Sequence, residues 1–261
     1  MTPRHLALSF LLTPFCAPFL QAEPPVGAQW EPIPELTDEF NDTALDSAKW
    51  LDSSPGWDGR QPGYFAKSNV KVMDGQLQLT ARVEDPPAEA QKNGYHTFTT
   101  AAVKSKVGVR YGYFEVRAQA MDSRASSAFW FYSRDPNIKT EIDVFEFSGG
   151  DGPFQKKWPM SLHNNNFPWA DKNEWHHTET LDLEFRPADA FHLYGVEWDE
   201  QEVKFFLDGK LMITQPNKFQ HEEMDMIFDS ETFPDWFGLP DVKTLPSTFK
   251  VDWVRAWKKK S

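Results

Sequence analysis

Residues 141–146 read Glu-Ile-Asp-Val-Phe-Glu, a stretch that sets three carboxylates among large apolar side chains. This alternation predicts a strand with one acidic face, because strand side chains alternate between faces with a period of two. Glu141 and Asp143 share a face in that pattern, whereas Glu146 falls on the other. One β-bulge at residues 144–145 restores the phase and returns Glu146 to the acidic face. Carboxylates held this close raise one another's pKa, so we expect that they do not all ionise at neutral pH.

The acidic face suits glycoside hydrolysis, in which one carboxylate attacks the sugar and a second carboxyl group donates a proton. The backbones of Glu141 and Glu146 would lie about 13 Å apart along a bulged strand. Each side chain reaches about 3–4 Å toward the other. The carboxyls can therefore close to the separation of about 5–5.5 Å used by retaining enzymes, and about 6.5–9.5 Å, the inverting range, is also allowed. The alternative is an edge strand whose charges prevent aggregation, which fits poorly with so many interleaved apolar residues.

The same residues resemble the signature of glycoside hydrolase family 16 in its bulged form, Glu-x-Asp-x-x-Glu. The resemblance implies a retaining, endo-acting β-glycanase built on a jelly-roll β-sandwich. It also implies that Glu141 is the nucleophile, that Glu146 is the acid/base, and that Asp143 orients and tunes Glu141. Residues 38–40 (Asp-Glu-Phe) and the Leu-to-Trp segment at 45–50 are similar to the way in which the family's domain often opens.

Strand and turn signals recur along the rest of the chain. Asp74-Gly75 and Asp208-Gly209 each stand between two alternating segments, the pattern of a two-residue β-hairpin. About a dozen short strands with almost no helical periodicity predict an all-β sandwich. The family resemblance sharpens this expectation to a concanavalin A-like jelly roll with a concave substrate cleft.

Aromatic and basic residues outside the acidic strand are candidates for substrate binding, since sugar rings stack on aromatic faces. Trp57 and Arg60 stand among turn-forming residues at 55–63, and a tryptophan and an arginine displayed on a loop are typical of a binding pair. The alternative for Trp57 is packing back onto the sandwich. Arg60 and Arg134 are candidates to hold a sulfate or a ring hydroxyl, because a guanidinium can donate two hydrogen bonds to one oxyanion.

The family resemblance adds three candidates on or beside neighbouring strands. Trp130 lies on the strand before the acidic one, where family members place a cleft tryptophan. His163 is expected on the strand after it, facing the cleft, with a hydrogen-bonded core histidine as the alternative. Glu231 stands at a strand end where galactan-cutting relatives carry a substrate-binding acid. The pair His176-His177 is expected in a loop ahead of a strand at 180–185, and without a third spaced ligand it does not predict a zinc site.

The 261 residues carry a net charge of −12, and 40% of them are hydrophobic, which suits one large all-β domain. The acidic balance argues against nucleic acid or an anionic membrane as a partner. Residues 1–22 combine an early arginine with a proline-broken apolar run, so they predict a secretory signal peptide and a secreted or periplasmic protein. We expect an extended lead-in at 23–35, a family 16-like catalytic domain at 36–257 and a basic tail at 258–261.

The expected partner is a polysaccharide, and the chain is expected to act as a monomer. The chemistry requires no cofactor. A structural calcium ion is compatible with the convex face, where no dedicated loop motif marks it. The single cysteine, Cys16, lies inside the predicted signal peptide, so the mature protein is expected to contain no disulfide.

The loop that carries Trp57 and Arg60 favours, within the family, the β-agarase and porphyranase group. The sequence thus predicts a secreted, retaining endo-β-glycosidase that hydrolyses a marine-type galactan, either agarose or porphyran. One alternative is a laminarinase-type β-1,3-glucanase, although laminarinases usually lack such a loop. The other is a carbohydrate-binding lectin on the same sandwich, which would have no need of an acid/base pair.

Overall fold

The computed structural model describes residues 23–165 and 175–260, so the predicted signal peptide lies outside the described residues. Helical structure is confined to 3₁₀ turns at Pro34–Leu36, Lys67–Asn69 and Val242–Thr244 and to one short helix, α1 (Ala88–Gln91), within these ranges. None of these described helices has the length and apolar character needed to cross a membrane. The remaining elements are strands, which in chain order are β1 (Trp30–Pro32), β2 (Trp50–Leu51), β3 (Gly63–Phe65), β4 (Val70–Met73), β5 (Gln76–Val83), β6 (Phe98–Val109), β7 (Gly112–Gln119), β8 (Ser127–Ser133), β9 (Thr140–Phe147), β10 (Lys157–Asn164), β11 (Trp175–Asp182), β12 (His192–Trp198), β13 (Glu202–Leu207), β14 (Lys210–Pro216), β15 (Met224–Ser230) and β16 (Ser247–Lys259).

The strands form two layers that are continuous at β5 and β6. The front sheet has the order β11-β10-β9-β8-β15-β6, and the back sheet has the order β5-β16-β7-β12-β13-β14 with β4 also paired to β5. Neighbouring strands are antiparallel except for the short β3–β6 pair, which is parallel. Strands that are distant in sequence, such as β8 and β15, thereby become neighbours. The all-β sandwich predicted from the strand and turn signals is confirmed.

Aromatic side chains fill the space between the two sheets. Phe131 of the front sheet lies 4.9 Å from Phe114 of the back sheet, measured between ring centroids. Phe145, from the acidic strand, lies 4.9 Å from Tyr194 and 6.0 Å from Phe249 of the opposite layer. Burying each such side chain contributes about 1.5–3 kcal/mol to stability. The apolar residues between the carboxylates therefore anchor β9 to the core and leave its acidic face outward.

Both predicted hairpins are present. Asp74 and Gly75 have φ values of 56° and 71°, and Asp208 and Gly209 have φ values of 49° and 76°. Positive φ at both central residues is the geometry of a type I′ turn, whose twist matches that of the flanking strands. The turns join β4 to β5 and β13 to β14 in the expected register.

The ends of the described chain belong to the sandwich. Strand β1 pairs with the last residues of β16, so that Trp30 faces Lys259 and Pro32 faces Trp257. Part of the predicted lead-in at 23–35 and part of the predicted basic tail at 258–261 thus add hydrogen-bonded strand to the back sheet. The sequence pattern missed this pairing because a three-residue strand is too short to show alternation.

The segment after β10 differs from the prediction. Strand β11 spans Trp175–Asp182 and contains both His176 and His177, instead of a loop followed by a strand at 180–185. Strand β11 is the outermost strand of the front sheet and pairs with β10 along its length. Backbone hydrogen bonds rather than a buried face define it, so its sequence lacks the apolar alternation from which strands are predicted.

Candidate active site

The acidic strand β9 contains the predicted bulge. Against β8, Glu146 pairs with Ala128, Phe145 with Phe129 and Asp143 with Trp130, which leaves Val144 as the extra residue. The extra residue shifts the side-chain phase by one position. Glu141, Asp143 and Glu146 all line the same cleft as a result, while Val144 is fully buried.

Strand β10 brings a histidine to the three carboxylates. His163 pairs with Glu141 across the β9–β10 ladder. Its Nε2 atom lies 3.1 Å from Oδ2 of Asp143, although the two atoms do not form a hydrogen bond. The His163 ring stacks on His176 of β11 at a centroid distance of 6.0 Å. His163 is a quarter exposed and contacts Asp143 from the side, so it is not a core histidine.

One group of side chains among the described residues has the composition of a metal site. Glu141, Asp143 and His163 each offer a potential ligand atom, and these atoms lie within 4.8 Å of one another. Both carboxylates belong to the Glu-x-Asp-x-x-Glu stretch of β9, in which acid–base roles are expected from the sequence.

Burial is the largest cause that raises the pKa of each carboxyl on β9. The pKa of Glu141 lies well above its ordinary value, with the charge of Asp143 adding to burial and His163 opposing it. The pKa of Asp143 is also raised well above its ordinary value, by burial and then by Glu146. Burial raises the pKa of Glu146 as well, against the opposing charges of His163 and Arg60. All three shifts favour the protonated forms, as expected for carboxylates crowded on one face.

Two further carboxylates extend the acidic group, Asp229 on β15 and Glu231 just after that strand. Asp229 is completely buried and accepts a hydrogen bond of 2.9 Å from Nε1 of Trp130. Glu231 is 4% exposed and accepts a hydrogen bond of 3.0 Å from Nε of Arg60. Burial raises the pKa of Asp229 to about 8, opposed by the Trp130 bond and reinforced by Glu146. Burial and Asp229 raise the pKa of Glu231 well above its ordinary value, and Arg60 opposes them.

Asp229 was not among the residues predicted from the sequence. A signal for it exists, because Asp229 and Glu231 are two positions apart at the end of an apolar strand and so share a face. Trp130 and Glu231, which were predicted as substrate-binding residues, both line the cleft.

The loop that carries Trp57 and Arg60 folds over one end of the cleft. The Trp57 ring packs edge-on against Phe65 at 4.9 Å and against Trp130 at 5.8 Å. Trp57 therefore contacts the sandwich, as the packing alternative expected, and also lines the cleft. The guanidinium of Arg60 lies 4.0 Å above the ring of Phe233 and remains about half exposed. An anion in the cleft can still reach it.

Arg134 lies at the opposite end of β15 from Arg60. Its guanidinium forms an ion pair with Asp225 at 3.0 Å, and it donates hydrogen bonds to Glu223 at 3.2 Å and to the carbonyl oxygen of Lys106 at 3.1 Å. Lys104 shares the buried carboxylate of Asp225 at 2.7 Å. Arg134 lines the cleft, but Glu223 and Asp225 already pair with part of its guanidinium.

The cleft has a volume of about 1300 Å³, and every predicted site residue except His163 lines it. Its wall also includes residues that the sequence pattern did not single out: Gln61, Tyr95, Lys104, Tyr132, Lys139, Asn165, Asp225 and Asp235. Aromatic faces suited to sugar rings stand beside a carboxylate group suited to proton transfer. Such a surface can bind a polysaccharide and cleave a bond within it.

A search of protein families matches residues 30–259 to the model described as "Beta-porphyranase A-D, GH16 domain". The chain is 33% identical to β-porphyranase D of Zobellia galactanivorans over 90% of this chain and 62% of that protein. It is 32% identical to β-porphyranase B of Phocaeicola plebeius over 90% of this chain and 87% of that protein.

The crystal structure of porphyranase B from Zobellia galactanivorans superposes with a TM-score of 0.77 at 29% identity, covering 93% of this chain and 97% of that one. The crystal structure of β-agarase A in complex with oligoagarose has a TM-score of 0.76 at 23% identity, which shows the shared jelly-roll fold. The expectations of a jelly-roll β-sandwich and of a glycoside hydrolase are confirmed. With a family match that covers nearly all of the described residues, this chain belongs to glycoside hydrolase family 16, in the domain family of the β-porphyranases.

Proposed function

We propose that this chain is a secreted, retaining endo-β-glycosidase that hydrolyses a marine-type galactan, with porphyran as the first candidate and agarose as the second. The proposal is carried by the bulge in strand β9, because it lets the side chains of Glu141, Asp143 and Glu146 all line the same cleft. Two relatives that are 33% and 32% identical to this chain are β-porphyranases, which supports porphyran over other galactans. Secretion rests on the signal-like composition of residues 1–22.

In the first step, Glu141 attacks the anomeric carbon while Glu146 donates its proton to the glycosidic oxygen. The bond between the anomeric carbon and that oxygen breaks, and a covalent glycosyl–Glu141 ester forms. Burial raises the pKa of Glu146, which favours the protonated form that this step requires. In the second step, Glu146 accepts a proton from water, the resulting hydroxide attacks the anomeric carbon, and Glu141 leaves as a carboxylate.

Asp143 can favour the ionised form of Glu141 only while Asp143 is itself protonated, because a negative charge on Asp143 raises the pKa of Glu141. The two carboxyls interact directly, and the pKa of each is raised. When the shared proton lies on Asp143, Glu141 carries the negative charge that the attack requires. His163, whose Nε2 lies 3.1 Å from Oδ2 of Asp143, packs beside that carboxyl from β10.

The end of the cleft near Trp57 provides substrate binding. Trp57 and Trp130 offer aromatic surface for sugar rings, with the Trp130 ring oriented by its hydrogen bond to Asp229. Arg60 is held by Glu231 and by Phe233 and keeps exposed donors for a sulfate ester or a ring hydroxyl. Porphyran, a sulfated galactan, offers both of these groups.

The test is a reducing-end assay on porphyran, agarose, κ-carrageenan and laminarin with the purified mature protein. We expect porphyran or agarose to yield oligosaccharides, and Glu141→Gln to abolish turnover with the fold intact, since it keeps the volume and removes the nucleophile's charge. Glu31→Gln, on the exposed strand β1, is the matched control and should retain full activity.

Three results would contradict the proposal in different ways. Cleavage of laminarin alone would identify a β-1,3-glucanase. Binding of a polysaccharide without release of reducing ends would identify a lectin. Wild-type turnover by a folded Glu141→Gln protein would remove Glu141 from the nucleophile's role.

A further inference from the structure

Gln220 lies on the loop between β14 and β15 and is fully buried. Its backbone is fixed from both sides. The amide N–H donates to Oδ1 of Asn217 at 2.9 Å, and the carbonyl oxygen accepts from Nε1 of Trp198 at 2.8 Å and from Nδ2 of Asn217 at 2.9 Å. A side chain carried on a backbone held in this way has little freedom to move.

The side chain of Gln220 reaches the strand pair that carries the proposed catalytic residues. Its Nε2 atom donates to the carbonyl oxygen of His163 at 2.9 Å and approaches that of Glu141 at 3.4 Å. These two residues are partners in the β9–β10 ladder. One amide group therefore spans the ladder at the position of the proposed nucleophile, although it lies 79 residues away from Glu141 in sequence.

This arrangement carries a cost in stability. Because both neighbouring groups are acceptors, the Gln220 amide must turn its nitrogen toward them. Its Oε1 atom is then buried and has no hydrogen-bond partner among the described residues. An unsatisfied buried acceptor costs about 1–3 kcal/mol. Methionine has a similar size and shape and would avoid that cost, so packing alone does not explain a glutamine here.

We propose that Gln220 is a positioning residue for the hydrolytic reaction, holding the backbone of Glu141 and His163 in the register that aims the Glu141 carboxylate at the substrate. The proposal rests on the proposed function, since it assigns Glu141 the role of nucleophile. A displacement of about 1 Å at a reacting group can lower a rate by about 100-fold. Loss of this single buried hydrogen-bond donor can therefore lower kcat by displacing the Glu141 carboxylate.

The test compares Gln220→Met with Gln119→Met on porphyran and agarose. Gln119 is a matched control, because its Nε2 also donates to a loop carbonyl, that of Ala188 at 2.8 Å, on β7 of the back sheet. We expect Gln220→Met to lower kcat about 10-fold with KM nearly unchanged, because it disturbs the reacting group rather than substrate binding. Its melting temperature should stay close to that of the wild type, because removal of the unpaired Oε1 offsets the loss of the two donated hydrogen bonds. Gln119→Met should leave kcat unchanged.

Amide hydrogen exchange provides a second readout. Without the Gln220 amide, exchange should become faster in residues 140–143 and 161–164 and remain unchanged elsewhere in the front sheet. Unchanged kcat in Gln220→Met, or a lower kcat accompanied by a matching loss of melting temperature, would overturn the positioning role. A wild-type protein that cleaves none of the polysaccharides would instead overturn the proposed function, and the inference with it.

Discussion

Replacing Asp229 with asparagine should make the fold more stable at neutral pH. Asp229 is completely buried, and burial raises its pKa from 3.8 to about 8. The ordinary pKa of 3.8 applies to the unfolded chain. Below that pH the carboxyl is protonated in both the folded and the unfolded chain, so its ionisation does not change the free energy of unfolding. Between these two values the folded chain must hold a proton that the unfolded chain has released. The stabilising contribution of the protonated group is therefore lost as pH rises through the folded pKa.

The size of the effect follows from the two pKa values. Each pH unit between them costs about 1.4 kcal/mol, so at pH 7 the penalty approaches about 4 kcal/mol. Asparagine remains neutral and avoids this penalty. Its carbonyl can accept the Trp130 bond, which places the amide nitrogen where Oδ1 of Asp229 has no partner among the described residues. A buried unsatisfied donor costs about 1–3 kcal/mol. The net gain at pH 7 should be about 2 kcal/mol after subtraction of this cost.

Urea unfolding of both proteins at pH 5, 6, 7 and 8 measures the difference. The difference in free energy of unfolding in favour of Asp229→Asn should grow with pH up to about 8. The cost of the unsatisfied amide does not depend on pH, so it does not alter this trend. The control is Asp225→Asn, four positions earlier on β15, whose carboxylate is paired with Lys104 at 2.7 Å and with Arg134 at 3.0 Å. Loss of those pairs should destabilise the fold throughout this range. A pH-independent difference between Asp229→Asn and the wild type would refute a buried proton at Asp229.

Three further predictions concern the cleft. Glu146→Ala should lose hydrolysis, and azide should restore turnover with a β-glycosyl azide as product, because the covalent intermediate can be intercepted once the base is missing; an α-configured product, identified by NMR, would exclude a retaining mechanism. Arg60→Ala should raise KM for porphyran more than for agarose if its guanidinium holds a sulfate, since charge-assisted hydrogen bonds are about twice as strong as neutral ones; equal effects on the two polymers would exclude that contact. Trp57→Ala should weaken binding of either galactan by about 1 kcal/mol or more in calorimetry and should also lower the melting temperature, because the ring packs against Phe65; an unchanged affinity would show that Trp57 serves packing alone.

Local features of the chain could be predicted from the sequence because they depend on near neighbours. The period of two and the one extra residue, Val144, are sufficient to place Glu141, Asp143 and Glu146 on one face. The Asp-Gly pairs specify their turns because few other residues adopt positive φ at both central positions. The predicted bounds of β11 were wrong because this strand has no apolar face, so its sequence lacks the alternation of apolar and polar residues from which strands are predicted.

The surroundings of the carboxylates were decided by the tertiary structure alone. The β8–β15 pairing brings Asp229 to Trp130 across 99 residues, and Arg60 reaches Glu231 across 171. These contacts depend on the order of the strands in the sheet. That order is set by the packing of segments that are distant in sequence. Burial then sets the chemistry, because a carboxyl such as Asp229 has a pKa of about 8 only when removed from water beside other carboxyls. The sequence determined which residues form the acidic strand, whereas the packing of remote strands determined how many acids surround it and which of them keep a proton.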